Sequence, residues 1–186
     1  MRIVAGSLKG RALVTPEGRD TRPTSDRARE AMFNIIEHAA WAPALDGARV
    51  IDLFAGSGAL GFEAISRGSV FCLFVENSAP ARGAIRTNVE TFQLFGNTRI
   101  HRRSAIDLGE KPAGVGDMFN IAFLDPPYHQ GLGPKAVNEL QTGNWLAPDA
   151  LIVLEVAKDE TPDLPDWDIH DERIYGAAKI IFMTSR

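Results

Sequence analysis

Short apolar runs and amphipathic segments alternate along the chain from Arg49 to its end. A run of about four to eight apolar residues predicts a buried strand, and apolar residues recurring every three or four positions predict a helix. Apolar strands that alternate with helices are typical of a parallel sheet covered on both faces. The predicted strands are Val50–Phe54, Val70–Val75, Thr98–His101, Phe119–Leu124, Leu151–Val156, Ile169–Ile174 and Lys179–Thr184, and the predicted helices are Ala59–Arg67, Ala79–Phe95 and Pro134–Thr142.

The last two predicted strands have no helix between them, and only a turn at Tyr175-Gly176 separates them. Antiparallel strands can be joined by a tight turn, whereas parallel strands need a crossover of about a dozen residues or more. One of the two final strands must therefore run antiparallel to its neighbours.

The N-terminal part of the chain follows another pattern. Arg2–Val14 contains short β-prone pieces interrupted by glycines and predicts a hairpin, and Thr15–Pro23 is rich in turn-forming residues and predicts a loop. Thr24 or Ser25 then caps a helix, whose apolar residues recur at helical spacing until near Ala39.

The composition is that of an ordinary globular protein. The chain has 186 residues, of which 45% are hydrophobic and 24% charged, and this length suits a single core. No apolar run is long enough to cross a bilayer, and the N-terminus lacks the apolar segment of a signal peptide. Cys72 is the only cysteine, which excludes an internal disulfide and a thiolate metal site. We expect a cytoplasmic monomer without a membrane or metal partner, with an N-terminal extension over residues 1–23 and one domain over residues 24–186.

The charge is distributed unevenly along the chain. Residues 1–29 carry seven Arg or Lys against three Asp or Glu, a net of +4, so that the rest of a chain of total charge −4 carries −8. A basic arm on an acidic body favours an anionic partner, because electrostatic steering depends on local potential.

A glycine-rich turn follows the first predicted strand of the sheet. Gly56, Gly58 and Gly61 form the pattern G-x-G-x-x-G, which lets the backbone turn tightly and approach a ligand. Glu76 ends the second strand, where a carboxylate can accept hydrogen bonds from both hydroxyls of a ribose. These features suit NAD and S-adenosylmethionine equally. Asp52 favours S-adenosylmethionine, because a carboxylate can hold the ammonium of a methionine moiety but has no use beside a pyrophosphate.

The fourth predicted strand runs directly into Asp125-Pro126-Pro127-Tyr128. Ligands of open α/β sheets bind beyond the carboxyl ends of the strands, so this tetrapeptide is expected beside the glycine turn. The two prolines fix the backbone and remove two N–H donors. The carbonyl of Pro126 and the carboxylate of Asp125 are then two acceptors that match the two hydrogens of an exocyclic amine. Tyr128 offers an aromatic face on which a base can stack.

The tetrapeptide predicts methyl transfer to an amine nitrogen. The amine of a guanine or adenine is a weak nucleophile, because its lone pair is delocalised into the ring. Acceptors off the ring plane would localise that lone pair and stabilise the positive charge that develops on the nitrogen. Transfer is an in-line displacement, so positioning supplies much of the rate. Asp125 can serve as a base or only as a hydrogen-bond acceptor, and the sequence leaves both open.

Several motifs follow one another in an order that matches a known family. They are Arg22-Pro23-Thr24 with Arg27 and Arg29-Glu30-Ala31, then Asp52-Leu53-Phe54-Ala55-Gly56-Ser57-Gly58, then Asp125-Pro126-Pro127-Tyr128. In these motifs the sequence resembles the bacterial 16S rRNA guanine-N2 methyltransferases along essentially its whole length. The D-P-P-Y motif is shared with DNA and protein amino-methyltransferases, so the N-terminal arm and the small size are the more specific part.

The resemblance implies an α/β fold, the Rossmann-like class I S-adenosylmethionine-dependent methyltransferase fold. Its sheet has seven mostly parallel strands with a reversed last strand, and a small N-terminal β-hairpin is added. The implied reaction methylates N2 of one guanine in 16S rRNA, with the small ribosomal subunit or an assembly intermediate as partner.

The resemblance also assigns residues to roles. Ser104 stands where relatives often place Asp or Asn beside the adenine, which leaves the backbone N–H of Ala105 to serve the ring. The implied catalytic residues are Asp125, Pro126, Pro127 and Tyr128. The implied ligands of S-adenosylmethionine are Asp52, Phe54, Ala55, Gly56, Ser57, Gly58, Glu76, Asn77, Ser104, Ala105 and Asp125. The implied RNA-binding residues are Lys9, Arg11, Arg19, Arg22, Arg27 and Arg29.

Three alternatives stay open. An adenine- or cytosine-directed DNA methyltransferase would share the catalytic motif, but no separate target-recognition domain is visible. An NAD-dependent oxidoreductase would share the glycine turn but leaves Asp125-Pro126-Pro127-Tyr128 unexplained. A non-catalytic RNA-binding assembly factor could keep the fold, but it has no need of an intact tetrapeptide.

Overall fold

The structure of the chain, a computed structural model, describes residues 1–16 and 25–186. Every strand and helix predicted beyond residue 24 is present, and the largest shift of an element's start is in the fifth strand, which begins at Leu146 instead of Leu151. The elements are α1 (Asp26–His38), β1 (Arg49–Leu53), α2 (Ala59–Ser66), β2 (Phe71–Val75), α3 (Ala79–Phe92), β3 (Thr98–His101), a short 3-10 helix (Ala113–Val115), β4 (Phe119–Leu124), α4 (Leu132–Thr142), β5 (Leu146–Ala157), β6 (Trp167–Tyr175) and β7 (Ala178–Ser185).

The seven strands form one sheet in the order β3-β2-β1-β4-β5-β7-β6. Strands β1 to β5 pair in parallel, and β7 pairs antiparallel with both β5 and β6. The predicted α/β sheet with a reversed last strand is therefore confirmed.

Two cores cover the two faces of the sheet. Val50 and Phe123 belong to the core that α1, α2 and α3 close, whereas Ile51 and Ala122 belong to the core that α4 closes. Successive residues of a strand point to opposite faces, so a central strand must be apolar at nearly every position. Among the helices of the described residues, none has the length and apolar character needed to span a bilayer.

The N-terminal arm, residues 1–14, packs on the helices of the first core. Ile3 and Leu13 are buried members of that core. The predicted hairpin is reduced to one antiparallel bridge between Arg2 and Ala12. The arm is therefore continuous with the domain in its packing, although its backbone forms no regular strand.

The reduced hairpin has a local cause, because the backbone of the arm bonds to α2. The N–H groups of Val4 and Ala5 donate to the Glu63 carboxylate at 2.8 and 3.0 Å. A Cβ on Gly6 would lie 1.8 Å from the carbonyl oxygen of Ser66, so only glycine allows the arm to approach the helix so closely. These backbone groups are thus satisfied by α2 instead of by an opposite strand.

Candidate active site

Four carboxyl side chains lie along the edge where the carboxyl ends of neighbouring strands meet. Glu76 follows β2, Asp52 is the last residue but one of β1, and Asp125 follows β4. Glu155 follows Leu154 of β5, which is in register with the last residue of β4. Because these strands neighbour one another in the order β2-β1-β4-β5, the four carboxyls form a row across the sheet. Within residues 1–16 and 25–186, no group of acidic, histidine or cysteine side chains is placed to hold a metal ion.

The turn after β1 places its glycines in different surroundings. Gly56 has a φ of +56°, and the nearest atom to a Cβ built there is the Phe54 carbonyl oxygen at 3.9 Å, so the backbone is open to a ligand. A Cβ on Gly61 would lie 2.4 Å from the ring of Phe74, so this glycine permits close packing of α2 on β2. Phe54 itself has a φ of +58°, a strained conformation of a kind that clusters at functional sites.

The carboxylate of Glu76 is held at the mouth of this turn. Its Oε2 accepts a hydrogen bond from the N–H of Gly56 at 2.9 Å, and its Oε1 accepts one from the N–H of Ser78 at 2.8 Å. Each carboxylate oxygen has a second lone pair, so both can still accept a ribose hydroxyl. The position of Glu76 fits the ribose ligand that the sequence predicts.

Asp52 is nearly sealed from solvent beneath the turn. It is 2% exposed, and its Oδ2 accepts a hydrogen bond from the N–H of Gly61 at 3.0 Å. Burial raises the pKa of this carboxyl to about 8; the bond from Gly61 opposes that shift, and the charge of Glu76 adds to it. A cation beside Asp52 would favour its ionised form, which fits a carboxyl that receives an ammonium.

The loop after β4 presents the predicted catalytic residues. Asp125 is half-buried, Pro126 is buried and Pro127 is exposed. Burial raises the pKa of Asp125 well above its usual range, and the charges of Glu155 and Asp52 raise it further. A carboxyl with a raised pKa has a higher proton affinity, so it suits an amine that is acquiring positive charge.

Glu155 is a site residue that the sequence analysis missed. It is 5% exposed, and its Oε1 accepts a hydrogen bond from the hydroxyl of Tyr128 at 2.5 Å. A signal was available, because a single glutamate interrupts the apolar run 150–157 of β5, and glutamate is rarely buried in a central strand without a partner.

The remaining predicted cofactor ligands lie on the loops after β2 and β3. Asn77 is exposed, and its backbone carbonyl accepts a hydrogen bond from Arg82 Nη1 at 2.7 Å. Ser104 forms an isolated bridge with Asp107, and Ala105 is buried in the turn between them. Since β2 and β3 are neighbours, the structure brings these residues to the same edge of the sheet as the carboxyl row.

The predicted RNA-binding residues divide into three groups. Lys9, Arg11 and Arg27 are exposed, as a contact with phosphate requires. Arg19 and Arg22 lie outside the described residues. The sixth residue, Arg29, is placed differently.

Arg29 is a correction to the predicted RNA-binding set. It is 1% exposed, its Nη2 donates to Asp26 Oδ1 at 2.9 Å, and its Nε lies 3.5 Å from Glu63 Oε2. Its Nη2 also donates to the carbonyl of Arg2. A guanidinium so enclosed cannot reach a phosphate, so Arg29 anchors the arm to α1 and α2 instead.

Asn88 of α3 joins the arm to the glycine turn, a link that the sequence analysis also missed. Its Nδ2 donates to the carbonyls of Val14 at 3.0 Å and Ser57 at 3.2 Å, and its Oδ1 accepts from the N–H of Val14 at 2.8 Å. The side chain of Met1 also approaches Ser57, with Sδ 3.5 Å from Oγ. The arm and the turn are thus tied by one buried amide.

Two relatives and a solved structure that match this chain are named as methyltransferases. Residues 1–184 match the family model described as conserved hypothetical protein 95. Ribosomal RNA small subunit methyltransferase D of Escherichia coli strain K12 is 36% identical over 179 residues, which cover 95% of this chain and 85% of that protein. The protein of the same name from Haemophilus influenzae is 34% identical over 178 residues, which cover 95% and 89%. The solved structure of yhhF from Escherichia coli, provisionally designated a methyltransferase, has a TM-score of 0.85 at 34% identity and covers 100% of this chain and 98% of that chain.

Proposed function

The chain belongs to the family of ribosomal RNA small subunit methyltransferase D, which confirms the predicted resemblance, and from this premise we propose its reaction. It transfers a methyl group from S-adenosylmethionine to the exocyclic N2 of one guanine in 16S rRNA. The acceptor is the small ribosomal subunit or an assembly intermediate, and the reaction takes place in the cytoplasm.

The observation that carries the proposal is the carboxyl row beyond the strand ends. S-adenosylmethionine brings a sulfonium and an ammonium, which are both positive, whereas NAD brings a pyrophosphate, which is negative. The carboxyls of Asp52 and Glu76, at the cofactor end of the row, suit the first ligand better than the second, because a nearby cation favours the ionised form of a carboxyl and a nearby anion opposes it. Open space over Gly56 leaves room for the ligand at the same place. Charge therefore favours the methyl donor over the nicotinamide cofactor.

The residues of this chain would bind and orient both substrates. Glu76 would hold the ribose of the cofactor, and Asp52 its ammonium. When bound, S-adenosylmethionine supplies an electrophilic methyl group. Asp125 and the carbonyl of Pro126 would accept hydrogen bonds from the guanine amine and draw its lone pair out of conjugation. Asp125 can then take the proton that the methylated nitrogen loses, because its pKa is raised.

The N-terminal arm would grip the RNA. Lys9, Arg11 and Arg27 present positive charge to solvent on the arm and the helix that follows it. Asn88 ties the end of the arm to the glycine turn, so RNA bound there lies close to the cofactor site. Phosphate contacts position a substrate without reading its sequence, which leaves base choice to the pocket around Asp125.

The experiment uses small ribosomal subunits from cells that lack this methylation. The protein is incubated with these subunits and labelled S-adenosylmethionine, and the modified nucleotide is mapped by mass spectrometry. We expect one guanine methylated at N2. Asp125→Ala should lower the transfer rate by at least about a hundredfold while calorimetry shows nearly unchanged cofactor affinity. Asp163→Ala, at an exposed loop position, is the matched control.

Other outcomes would contradict the proposal in distinct ways. Full transfer by Asp125→Ala would exclude the catalytic role of the loop after β4. Methylation of duplex DNA in place of ribosomal particles would support the DNA methyltransferase alternative. Tight binding of NAD without binding of S-adenosylhomocysteine would support the oxidoreductase.

A further inference from the structure

Glu155 is a charged residue inside an otherwise apolar strand. All residues from 150 to 157 are buried, and Glu155 is 5% exposed. Strand β5 lies between β4 and β7, so both of its edges are paired within the sheet. Burying a carboxylate in such a place is unfavourable unless hydrogen bonds compensate its lost hydration. The residue therefore requires an explanation beyond packing.

Tyr128 provides a strong partner for this carboxylate. Its hydroxyl donates to Glu155 Oε1 over 2.5 Å, a length typical of a bond between a hydroxyl and an ionised carboxylate. The bond connects the loop after β4 to the neighbouring strand β5. Because it holds the far end of the phenol, it opposes a swing of the whole side chain about the Cα–Cβ bond and so keeps the ring in its place beside Asp125.

We propose that Glu155 is a positioning residue, which holds the hydroxyl of Tyr128 and thereby orients the ring on which the acceptor base stacks beside Asp125. The inference rests on the proposed methyl transfer, because that reaction gives Tyr128 its stacking role. A side chain without this anchor can swing away, and the amine then spends less time against Asp125. Stacking tolerates any base, so Glu155 acts on rate and not on the choice of base.

The charge of Glu155 also acts on Asp125 itself. Glu155 faces Asp125 from β5, Asp52 faces it from β1, and Tyr128 and the exposed His129 belong to its own loop. Burial and the two negative charges raise the pKa of Asp125. Glu155→Gln removes one of those charges, so it lowers the pKa of Asp125. If the ionised carboxylate accepts the amine, the acidic limb of the rate profile moves to lower pH in this variant.

The kinetic test compares four variants and one control variant, all acting on undermodified small subunits. Glu155→Ala and Tyr128→Phe should each lower kcat about tenfold and leave the KM for S-adenosylmethionine unchanged. At a pH above the acidic limb, the double variant should lose no more than the larger of the two single losses, because both substitutions remove the same bond. Glu155→Gln keeps an oxygen acceptor, so above neutral pH its kcat should stay within about threefold of the wild type, and its acidic limb should move to lower pH. Glu172→Gln, at an exposed position of β6, is the control.

Two kinetic results would overturn the proposal. One is additive loss in the double variant, which would mean that Glu155 and Tyr128 act independently. The other is a pH profile of Glu155→Gln that coincides with the wild-type profile. If Glu155→Ala does not fold, the comparison of Glu155→Gln with Tyr128→Phe still decides, because Glu155→Gln must retain rate where Tyr128→Phe loses it.

A spectroscopic test does not depend on catalysis. The chain has two tyrosines, Tyr128 and Tyr175, so in a Tyr175→Phe background the signals of labelled tyrosine belong to Tyr128. Glu155→Ala should shift these ring signals, because the ring leaves its place, and Glu172→Gln should not. Unchanged signals would overturn the positioning role even if methyl transfer is observed. If Glu155→Ala perturbs the ring but the wild-type chain transfers no methyl group, the positioning contact stands and the proposed function is overturned, and with it the catalytic meaning of the contact.

Discussion

The guanidinium of Arg29 lies 3.5 Å from the carboxylate of Glu63, and their side chains are only 1% and 0% exposed. The same carboxylate accepts the backbone N–H groups of Val4 and Ala5. A buried ion pair therefore holds the N-terminal arm against α1 and α2. Removing Glu63 would leave the buried Arg29 with Asp26 as its remaining carboxylate and would leave the N–H groups of Val4 and Ala5 without their acceptor.

This relationship predicts a large effect on stability. Glu63→Ala should lower the free energy of unfolding by about 3–5 kcal/mol, because it removes a carboxylate partner of the buried Arg29 and the acceptor of two backbone N–H groups. Denaturant unfolding followed by circular dichroism measures the change. Glu90→Ala, at an exposed position of α3, should change it by about 0.5 kcal/mol or less. Equal effects of the two substitutions would show that the buried pair contributes little.

Alanine substitutions at two glycines of the turn after β1 should affect different properties: Gly61→Ala mainly the stability of the fold, and Gly56→Ala mainly the binding of the cofactor. Gly61→Ala places a methyl group against Phe74 and Cys72, so it should destabilise the fold by about 1–3 kcal/mol. Gly56→Ala meets open space at a positive φ, so its strain should be only about 1 kcal/mol. It should weaken binding of S-adenosylhomocysteine at least about tenfold, since the methyl group occupies the ligand's approach.

Unfolding and calorimetry on both glycine variants separate the two effects. The wild-type chain is the reference in each measurement. If Gly56→Ala bound the cofactor normally and Gly61→Ala were as stable as the wild type, the structural roles assigned to these glycines would be wrong.

Asp52 predicts a dependence of stability on pH. Its pKa is raised from 3.8 to about 8 on folding, so between these values the folded chain holds a proton that the unfolded chain has lost. The stabilising contribution of this carboxyl is complete below its pKa in the unfolded chain. It is lost as the pH rises through its pKa in the folded chain. The wild type should therefore lose stability relative to Asp52→Asn across this window, with a limiting slope of about 1.4 kcal/mol per pH unit.

Urea unfolding of both proteins at several pH values and constant ionic strength checks this prediction. The difference between the two free energies isolates the carboxyl from other titrating groups. A difference that stays constant from about pH 4 to pH 8 would show that Asp52 is ionised in the folded chain over the whole range.

The exposed cations of the arm predict a change in salt dependence. Replacing Lys9 and Arg11 by alanine should make the plot of log affinity against log salt shallower by about 0.7–0.9 for each phosphate that the arm no longer neutralises. Binding to small-subunit RNA at several salt concentrations measures the slope. Arg173→Ala, at an exposed position on the edge strand β6, should leave it unchanged. An equal slope for the arm variant would place the RNA footprint elsewhere.

The order and type of the elements could be predicted because their signals are local. Strands β3 and β4 begin and end at the residues that the apolar pattern predicts. Parallel pairing then brings the residues after β2 and β4 to one edge, which is why Glu76 and Asp125 could be placed in one site from the sequence.

The ends of other elements depend on contacts that a local pattern does not contain. Strand β5 begins at Leu146 because this residue pairs with Phe119 of β4 across an irregularity in register. Helix α3 ends at Phe92, short of the predicted Phe95, because Gln93 adopts a left-handed conformation that caps it.

By itself, the sequence determined the α/β fold, the glycine turn and the acceptor loop at Asp125, because periodicity and strand-end motifs are properties of neighbouring residues. Only the tertiary structure decided which polar side chains meet inside the molecule: Asn88 with Val14, 74 residues apart, and Tyr128 with Glu155, 27 apart. The same holds for Arg29, whose charge predicts a surface position until packing places Glu63 against it. A buried charge or amide is stable only where its partner is already in place, and that partner is supplied by a segment distant along the chain.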